Sequence, residues 1–396
     1  MFLTSDQEGM LAGEEGPAAS KLLELLVALG EVFGAKGLVP VESAHISGVS
    51  YKNLGGVGLG WLEEQAKLGA RARIRATLNP AGMDMELWRE MGVPSEFAEG
   101  QERVIRAFRE MGVEPTCTCT PYLAGHIPKL GSQIAWAESS AVCYANSVIG
   151  ARTNRESGLT TLASAVTGYA ALYGYRLNEN RRPGAVVEVE TDLDTVMEYS
   201  ALGYVTGREL GTTVPYFSGI GRPGLDAMKA LGAACATSGG IALWHGEGVT
   251  PEAEEMKAHL GGLERITVDR VEIDGAIAQL TGPLRDPVIA LGCPHASMKE
   301  LEQIADLVRG RDMRGKLWVF TSREIHSEAE GAGYIGVIEG AGGRVFRDTC
   351  MVVAPLQEMG WTEVATNSFK AAHYMAGMGM ETRIGTVQEL LGVVEG

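Results

Sequence analysis

The last third of the chain alternates between short apolar runs and amphipathic segments, and this alternation constrains the fold more than any other feature. Strands that alternate with helices form parallel sheets, because each helix crosses the sheet to bring the next strand in beside the last. We therefore predict an α/β fold with a parallel sheet flanked by helices. The strand-like runs are Pro287–Leu291, Leu317–Phe320, Arg344–Phe346, Val364–Ala365 and Arg383–Ile384.

Reactive side chains closely follow several of these runs. Cys293 comes after the first run, Cys350 after the third and Lys370 after the fourth, with hydroxyl side chains between them. In open parallel sheets the carboxyl ends of the strands meet at one edge, where ligands bind. We therefore expect two thiols, several hydroxyls and one lysine to meet at one edge of this sheet.

A second dense group of reactive side chains lies in the first half of the chain. Cys117 and Cys119 flank one threonine beside a proline turn. Glu138, Ser139 and Ser140 follow a strand-like run, where a serine either binds a ligand or only caps the helix that comes next. We predict that this group forms one wall of an active site.

Arg152 and Arg155 follow this group and are three residues apart. Side chains three apart can share one face, so the two guanidinium groups could clamp a substrate carboxylate or phosphate. The alternative is that they form salt bridges with Glu138 or Glu156. A glycine- and alanine-rich helix is predicted next, over residues 159–172.

Two polar loops earlier in the chain also follow strand-like runs. One spans residues 43–53 and the other residues 77–82. The first loop is rich in small residues, which suits either a solvated turn or a nest of backbone N–H groups and hydroxyls that binds an anion. The residues alone leave both interpretations open.

The length of the chain predicts more than one domain, because 396 residues exceed one ordinary hydrophobic core. A glycine-rich joint begins at Gly219, and we take it as the boundary between an N-terminal α/β region, 1–218, and a C-terminal α/β region, 219–396. The N-terminal region would carry Cys119 and the polar loops. The C-terminal region would carry the other two thiols and the lysine.

The charge and apolar content narrow the possible partners. A formal net charge of −16 disfavours nucleic acid and anionic membranes as partners, although a local group of cations can still bind an anionic small molecule. The N-terminus is polar and acidic, and no apolar run approaches the ~20 residues of a membrane span. We expect a cytoplasmic protein whose six cysteines are reduced.

Three cysteines at strand-end loops would suit a soft metal. One of Cys117 and Cys119, together with Cys293 and Cys350, favours zinc or an iron–sulfur cluster. No C-x-x-C pair is present, so the spacing matches no zinc ribbon. The competing interpretation is a metal-free thiol enzyme with Cys293 and His295 as its pair, but two residues apart on a loop is poor geometry for it.

Several long motifs, in order and nearly from end to end, resemble the large subunit of the aconitase X family. These motifs are Cys117–Tyr122, Ala137–Ala141, Tyr144–Gly158, Gly292–His295, Asp348–Cys350 and Thr366–Lys370. The resemblance implies a multi-domain aconitase-like fold of parallel sheets flanked by helices, with the active site in the cleft between domains. It also implies a hydro-lyase whose separate small subunit carries the swivelling domain, which we expect to be absent from this chain.

The resemblance implies the roles of individual residues. It implies that Cys119, Cys293 and Cys350 bind an iron–sulfur cluster, with 4Fe–4S favoured over 2Fe–2S or a single iron, and that Cys117 is structural. The implied substrate-binding residues are Gly48, Val49, Ser50, Asn79, Pro80, Ser139, Ser140 and Lys370. We add Glu138 and the arginine pair from their chemistry. The resemblance places the proton-abstracting serine on the small subunit, so no catalytic base is assigned to this chain.

The implied reaction is the dehydration of (R)-5-phosphomevalonate to trans-anhydromevalonate 5-phosphate, a step of the archaeal mevalonate pathway. The alternative on the same scaffold is dehydration of cis-3-hydroxy-L-proline. A non-enzymatic alternative is a subunit that only binds a small molecule. The expected partners are a small subunit that carries the swivelling domain, which would form a heterodimer with this chain, and an anionic small-molecule substrate.

Overall fold

A computed structural model describes residues 1–392 of the chain. Four sheets are flanked by helices, and the three larger sheets are parallel, as the sequence predicts. None of the helices in this part of the chain combines the length and apolar character needed to span a bilayer. Residues 393–396, the end of the predicted C-terminal region, lie outside the described residues.

The first part of the chain forms a three-stranded parallel sheet of order β3-β2-β4 and an antiparallel pair of β1 and β5. Its strands are β1 (Leu38–Pro40), β2 (Ser43–Ile46), β3 (Arg75–Leu78), β4 (Ala135–Trp136) and β5 (Tyr169–Ala171). Its α-helices are α1 (Ser5–Leu11), α2 (Pro17–Val32), α3 (Tyr51–Lys67), α4 (Trp88–Met91), α5 (Ser95–Glu110), α6 (Ser139–Tyr144) and α7 (Gly158–Thr167). The remaining helical turns are a π-helix, Ala145–Ile149, and the 3-10 turns Pro121–Leu123, Gly174–Arg176 and Asn178–Arg181.

The middle part forms a four-stranded parallel sheet of order β8-β7-β6-β9. Its elements are β6 (Ala185–Val189), α8 (Val196–Leu210), β7 (Pro215–Ser218), α9 (Leu225–Ser238), β8 (His245–Gly246), α10 (Ala253–Met256), the 3-10 turn Lys257–His259, β9 (Glu264–Val268) and α11 (Arg270–Gln279). The glycine-rich joint at Gly219 lies between β7 and α9. The predicted division of the chain at this residue therefore runs through the sheet, with two of its strands on each side.

The last part forms a five-stranded parallel sheet of order β12-β11-β10-β13-β14. The order reverses at β10, so the carboxyl end of β10 lies at a switch point where ligands bind in such sheets. Its elements are β10 (Val288–Ala296), α12 (Met298–Val308), β11 (Leu317–Thr321), α13 (Arg323–Gly331), α14 (Tyr334–Gly340), β12 (Arg344–Arg347), β13 (Glu363–Thr366), α15 (Phe369–Gly377), β14 (Glu381–Ile384) and α16 (Val387–Gly392).

The first and last parts pack directly against each other. One face of the five-stranded sheet buries Phe320 and Phe346 together with Met83 and Met91 from the first part of the chain. The backbone N–H of Ala81 also donates to the carbonyl of Asp348, 2.8 Å away. Apolar burial is the main favourable term in folding, so this shared core holds the carboxyl edges of two sheets opposite each other.

Candidate active site

The three parallel strands of the N-terminal sheet end at one cavity of about 350 Å³. Since the carboxyl ends of parallel strands lie at the same edge, the loops that follow them become neighbours although they are far apart in sequence. The residues that these loops contribute to the cavity wall are Ser47 and Gly48 after β2, Asn79 and Pro80 after β3, and Ala137, Glu138 and Ser139 after β4.

The five-stranded sheet forms the opposite wall. Cys293 lies where the register of β10 shifts, Cys350 follows β12, and Lys370 lies in the first turn of α15. Gly292 makes the shift possible, because its φ of +91° suits glycine and an added Cβ would lie 2.1 Å from the carbonyl oxygen of Phe320. The thiol side chain therefore turns away from the sheet and into the cavity.

The structure brings together the three cysteines that the family resemblance singles out. Cys119 reaches the cavity from the segment between α5 and β4 and joins Cys293 and Cys350 there. Cys117 does not line the cavity and instead packs in the N-terminal hydrophobic core. Cys143 is buried in a third core cluster, as is Cys235.

Burial controls the chemistry of the three cavity thiols. It raises the pKa of Cys119, Cys293 and Cys350 to about 12, although the charge of Lys370 opposes the rise. Thiols with so high a pKa are protonated at neutral pH and make poor nucleophiles. They become thiolates when a metal centre displaces the proton, which favours a metal-binding role over the metal-free thiol enzyme.

The spacing of the thiols bears on what they can hold. Among residues 1–392, no group of three or more His, Cys, Asp or Glu side chains is close enough together to hold a metal ion. Cys119, Cys293 and Cys350 nevertheless line one cavity. Three sulfur donors from separate segments of the chain suit a soft metal centre such as an iron–sulfur group.

A buried ion pair lies beside the thiols. The Lys370 ammonium contacts the Glu138 carboxylate, which also accepts hydrogen bonds from Asn79 Nδ2 at 3.0 Å and from the Ser140 hydroxyl at 2.9 Å. Burial alone would raise the pKa of Glu138, but Lys370 and the two neutral donors lower it to about 2. Burial would lower the pKa of Lys370, but Glu138 and the nearby thiols raise it. Both groups are therefore charged at neutral pH.

Three of the predicted substrate-binding residues support the cavity rather than line it. Ser50 caps α3 by accepting from Lys52 N, and its hydroxyl donates to the carbonyl of Val353, 2.9 Å away on the opposite wall. Val49 is buried in the N-terminal core. Ser140 lies behind the wall, where its hydroxyl also accepts from Lys370 at 3.2 Å.

Arg152 and Arg155 do not reach this cavity. No helix forms around them, because the π-helical turn before them ends at Gly150 in a left-handed conformation and the chain continues in an extended form. The Arg152 guanidinium lies 3.8 Å from Glu252 and 3.3 Å from the carbonyl of Arg176. Arg155 donates to the carbonyl of Gly240, 3.2 Å away. The expectation that the two arginines clamp a substrate carboxylate or phosphate is therefore corrected, because neither lines the cavity.

Several cavity residues were not predicted as substrate-binding. Tyr374 follows Lys370 by four positions in α15, so helical periodicity could have identified it. Asn53 lies in the first turn of α3, at the end of the loop that we left open as an anion nest. Val352 and Val353 also line the cavity, and no sequence signal distinguishes them from core valines.

Gln101 in α5 joins two of the substrate loops. Its amide oxygen accepts from the backbone N–H of Tyr51 at 2.9 Å and of Gly82 at 2.8 Å, and its amide nitrogen donates to the carbonyl of Val49 at 3.0 Å. Exchange for leucine would leave three buried backbone groups without partners. We expect Gln101→Leu to lower the free energy of unfolding by at least about 2 kcal/mol. We also expect KM to rise more than kcat falls.

Gln65→Leu is the matched control for that measurement. Gln65 is also buried, but its amide oxygen has no hydrogen-bond partner. Replacing it removes an unsatisfied acceptor, so chemical denaturation should show a much smaller loss of stability. Equal losses in the two variants would mean that Gln101 does not hold the loops through its hydrogen bonds.

Two buried histidines, connected through Thr77 of β3, should lower the free energy of unfolding in acid. His45 Nδ1 and His126 Nδ1 lie 2.8 Å and 2.9 Å from the hydroxyl oxygen of Thr77. Burial lowers the pKa of His45 to about 4, with the Glu138 charge opposing, and burial lowers the pKa of His126 to about 3. Each imidazole takes up a proton when the protein unfolds in acid. Its contribution to the free energy of unfolding is therefore present above pH ~6.5 and is lost as the pH falls through its folded pKa.

For His45 alone we expect a loss of about 3 kcal/mol between pH 7 and pH 4. Urea titrations at a series of pH values will measure it. His45→Gln should flatten this dependence in part, because His126 remains. An unchanged slope in the variant would show that His45 is not neutral in the folded protein.

Comparisons with known proteins identify the family that this chain matches. Family profiles described as the aconitase X first, second and third domains match residues 1–179, 183–278 and 287–395. A phosphomevalonate dehydratase large subunit from Methanothermobacter thermautotrophicus is 49% identical over 96% of this chain and 94% of its own length. The protein of the same name from Methanocaldococcus jannaschii is 44% identical over 99% of both.

A more distant relative and a solved structure complete the comparison. A cis-3-hydroxy-L-proline dehydratase from Pseudomonas aeruginosa is 38% identical over 95% of this chain and 67% of its own length. The crystal structure of Thermococcus kodakaraensis aconitase X in its holo-form is 41% identical, covers 99% of both chains and superposes with a TM-score of 0.93.

Fold, site and relatives together define a hydro-lyase, that is, an enzyme of the dehydratase class. All the relatives described above that carry an enzyme name are dehydratases. Within this class, the chain belongs to the aconitase X family.

Proposed function

We propose that this chain is the large subunit of a two-subunit dehydratase that converts (R)-5-phosphomevalonate to trans-anhydromevalonate 5-phosphate. The observation that carries the proposal is a set of four archaeal relatives named phosphomevalonate dehydratase large subunit, which are 42–49% identical to it. Their matches extend over nearly the whole chain. The words "large subunit" in those names support a small-subunit partner.

The charges at the cavity support an anionic substrate. Lys370 contributes a buried positive charge to the wall. Lys52 lies next to the cavity residue Asn53, and its ammonium is 3.3 Å from the carbonyl of Ala354. Of these two lysines only Lys370 lines the cavity, where a carboxylate or phosphate group of the substrate would contact its ammonium.

Cys119, Cys293 and Cys350 would hold an iron–sulfur cluster, with 4Fe–4S favoured because three protein ligands leave one iron without a cysteine. When bound, such a cluster supplies a Lewis acid for the leaving hydroxyl group. The three thiols fit this role because they are buried, come from three separate loops and face the same cavity as Lys370.

The chain's own polar groups would orient the substrate. The ionised Glu138 carboxylate can accept a hydrogen bond from a substrate hydroxyl, and Asn79 and Lys370 fix the position of that carboxylate. Gly48, Pro80 and Ser139 complete the wall around it. We expect the base that removes the proton next to the substrate carboxylate to come from the small subunit.

The test is a dehydration assay with the chain purified anaerobically, reconstituted with iron and sulfide, and mixed with its small subunit. We expect loss of water from (R)-5-phosphomevalonate only when both subunits are present. Iron bound to the chain without turnover of any substrate would instead indicate a binding subunit, and turnover without iron would indicate a metal-free enzyme.

The second candidate substrate is cis-3-hydroxy-L-proline. It rests on the Pseudomonas aeruginosa relative, which matches this chain over 95% of the chain's length. The same reconstituted protein assayed with both substrates at equal concentration decides between them. A higher kcat/KM for the imino acid would overturn the primary proposal.

A further inference from the structure

His295 contacts the three segments that carry Cys293, Cys119 and Cys350, which we call the thiol loops. It lies at the end of β10, two residues after Cys293, and it is fully buried. Its ring does not line the cavity. It therefore has no direct access to a substrate, and its polar atoms must be satisfied within the protein.

The imidazole ring joins the other two thiol loops. Nδ1 is 3.0 Å from the hydroxyl of Thr118, and Nε2 is 2.8 Å from the carbonyl oxygen of Thr349. Thr118 directly precedes Cys119, and Thr349 directly precedes Cys350. A carbonyl oxygen only accepts, so Nε2 carries the proton and donates, and in the neutral ring Nδ1 accepts from the threonine hydroxyl.

The backbone of His295 is tied to the same region. Its N–H donates to the Cys119 sulfur at 3.2 Å. Its carbonyl accepts from the ammonium of Lys229 at 3.1 Å, and this buried lysine is itself paired with Asp226 and Glu300. All four polar groups of one residue are therefore bonded to other segments. Buried groups that are fully satisfied in this way fix a unique arrangement of their surroundings.

We propose that His295 is a positioning residue that fixes the three thiols relative to one another. It lies two residues after Cys293 in the chain. Its ring forms hydrogen bonds with the residues that precede Cys119 and Cys350, and its N–H donates to the Cys119 sulfur. The inference rests on the proposed function in one respect, namely that these thiols hold a cluster. A flat ring is well suited to the task, because its two nitrogens are held at a fixed separation that a flexible side chain does not keep.

Two substitutions at His295 each remove one of the two hydrogen bonds that its ring nitrogens form. His295→Asn keeps a polar atom near the Nδ1 position and so retains the contact to Thr118, but it loses the contact to Thr349. His295→Gln reaches the Nε2 position and does the reverse. In the metal-free chain we expect Cys350 to react faster with an alkylating agent in the asparagine variant, and Cys119 in the glutamine variant.

Peptide-resolved mass spectrometry will measure these rates. Loss of one buried hydrogen bond makes local opening about tenfold more frequent, and alkylation should accelerate by the same factor. Iron per chain after reconstitution should fall in both variants, and the absorption spectrum of the remaining cluster should change. Thr118→Val, which leaves His295 intact, should reproduce the effect of the glutamine variant if that variant fails to fold.

His245→Asn is the matched control, because asparagine does not reach the Nε2 position. His245 is also buried, and its Nε2 lies 2.8 Å from the carbonyl oxygen of Arg181, but it belongs to β8 and adjoins no cavity thiol. This variant should be less stable than the wild type, but Cys119 and Cys350 should be alkylated at the wild-type rates. Wild-type alkylation rates together with full iron content in both His295 variants would overturn the inference. If the wild-type chain takes up no iron but the alkylation pattern shifts as expected, His295 positions the thiols and the cluster assignment is wrong.

Discussion

Replacing Lys370 with methionine is expected to abolish dehydration, lowering kcat/KM by at least about 10³-fold, and to destabilise the protein by about 3–5 kcal/mol. The ammonium is buried and contacts the Glu138 carboxylate. Without it, Glu138 would be a buried charge with only neutral donors. Burial would then raise the pKa of Glu138 above its unfolded value. The deficit in stability relative to the wild type should therefore be smallest in acid and should grow as the pH rises through that raised pKa.

The double variant Glu138→Gln with Lys370→Met is the control for this prediction. It removes the unpaired carboxylate as well, so thermal and urea unfolding should show that much of the lost stability returns. Activity should not return, because both charges at the cavity wall are gone. Wild-type turnover in the single variant would contradict the role given to this ion pair.

Replacing Cys293 with serine is expected to remove the bound iron and all activity. A serine hydroxyl is a poor ligand for a soft metal, and only three thiols face the described cavity. The loss of metal affinity should exceed the roughly 10- to 100-fold that losing a supporting hydrogen bond costs. Cys119→Ser and Cys350→Ser should behave in the same way. Metal analysis and the visible spectrum of anaerobically reconstituted protein provide the measurement.

Cys117→Ser is the matched control for the thiol series. Cys117 is only two residues from Cys119 and equally buried, but it packs in the N-terminal core and does not line the cavity. The variant should cost stability, since a hydroxyl replaces a thiol in an apolar environment, while iron content stays at the wild-type level. Iron loss in this variant equal to that in Cys293→Ser would contradict the assignment of ligands.

Periodicity predicted the architecture well where strand and helix signals agree. Four of the five strand-like runs of the last third fall within β11 to β14, the first overlaps β10 from Val288 onward, and the sheet is parallel as expected. The predicted helix over 159–172 was too long. It ends at Thr167, because Gly168 takes a left-handed conformation with φ +81° and the next residues form β5. A single glycine within an apolar run does not reveal this in the sequence.

The site could be predicted only in part, and the reason is the topology. The carboxyl ends of parallel strands lie at one edge of a sheet, and this alone predicts that Cys293, Cys350 and Lys370 lie close together, without any knowledge of the fold of the first half. It does not say that the edge of a second sheet faces the first, and so it could not place Glu138 against Lys370. The spacing of Arg152 and Arg155 suggested a shared face, but it does not say which groups that face meets, and the guanidinium groups contact Glu252 and the backbone of Arg176 and Gly240 instead.

The separation of the three cavity thiols along the chain has a consequence for biosynthesis. Chains emerge from the ribosome amino terminus first, and early portions begin to fold before later ones exist. The loop with Cys119 is complete long before Cys350 has been translated, and Ala81 lacks its backbone partner, Asp348, until nearly the whole chain is made. A nascent chain therefore offers an incomplete set of sulfurs. An iron–sulfur cluster bound by all three thiols, as proposed, would therefore require a chain that has been translated at least as far as Cys350.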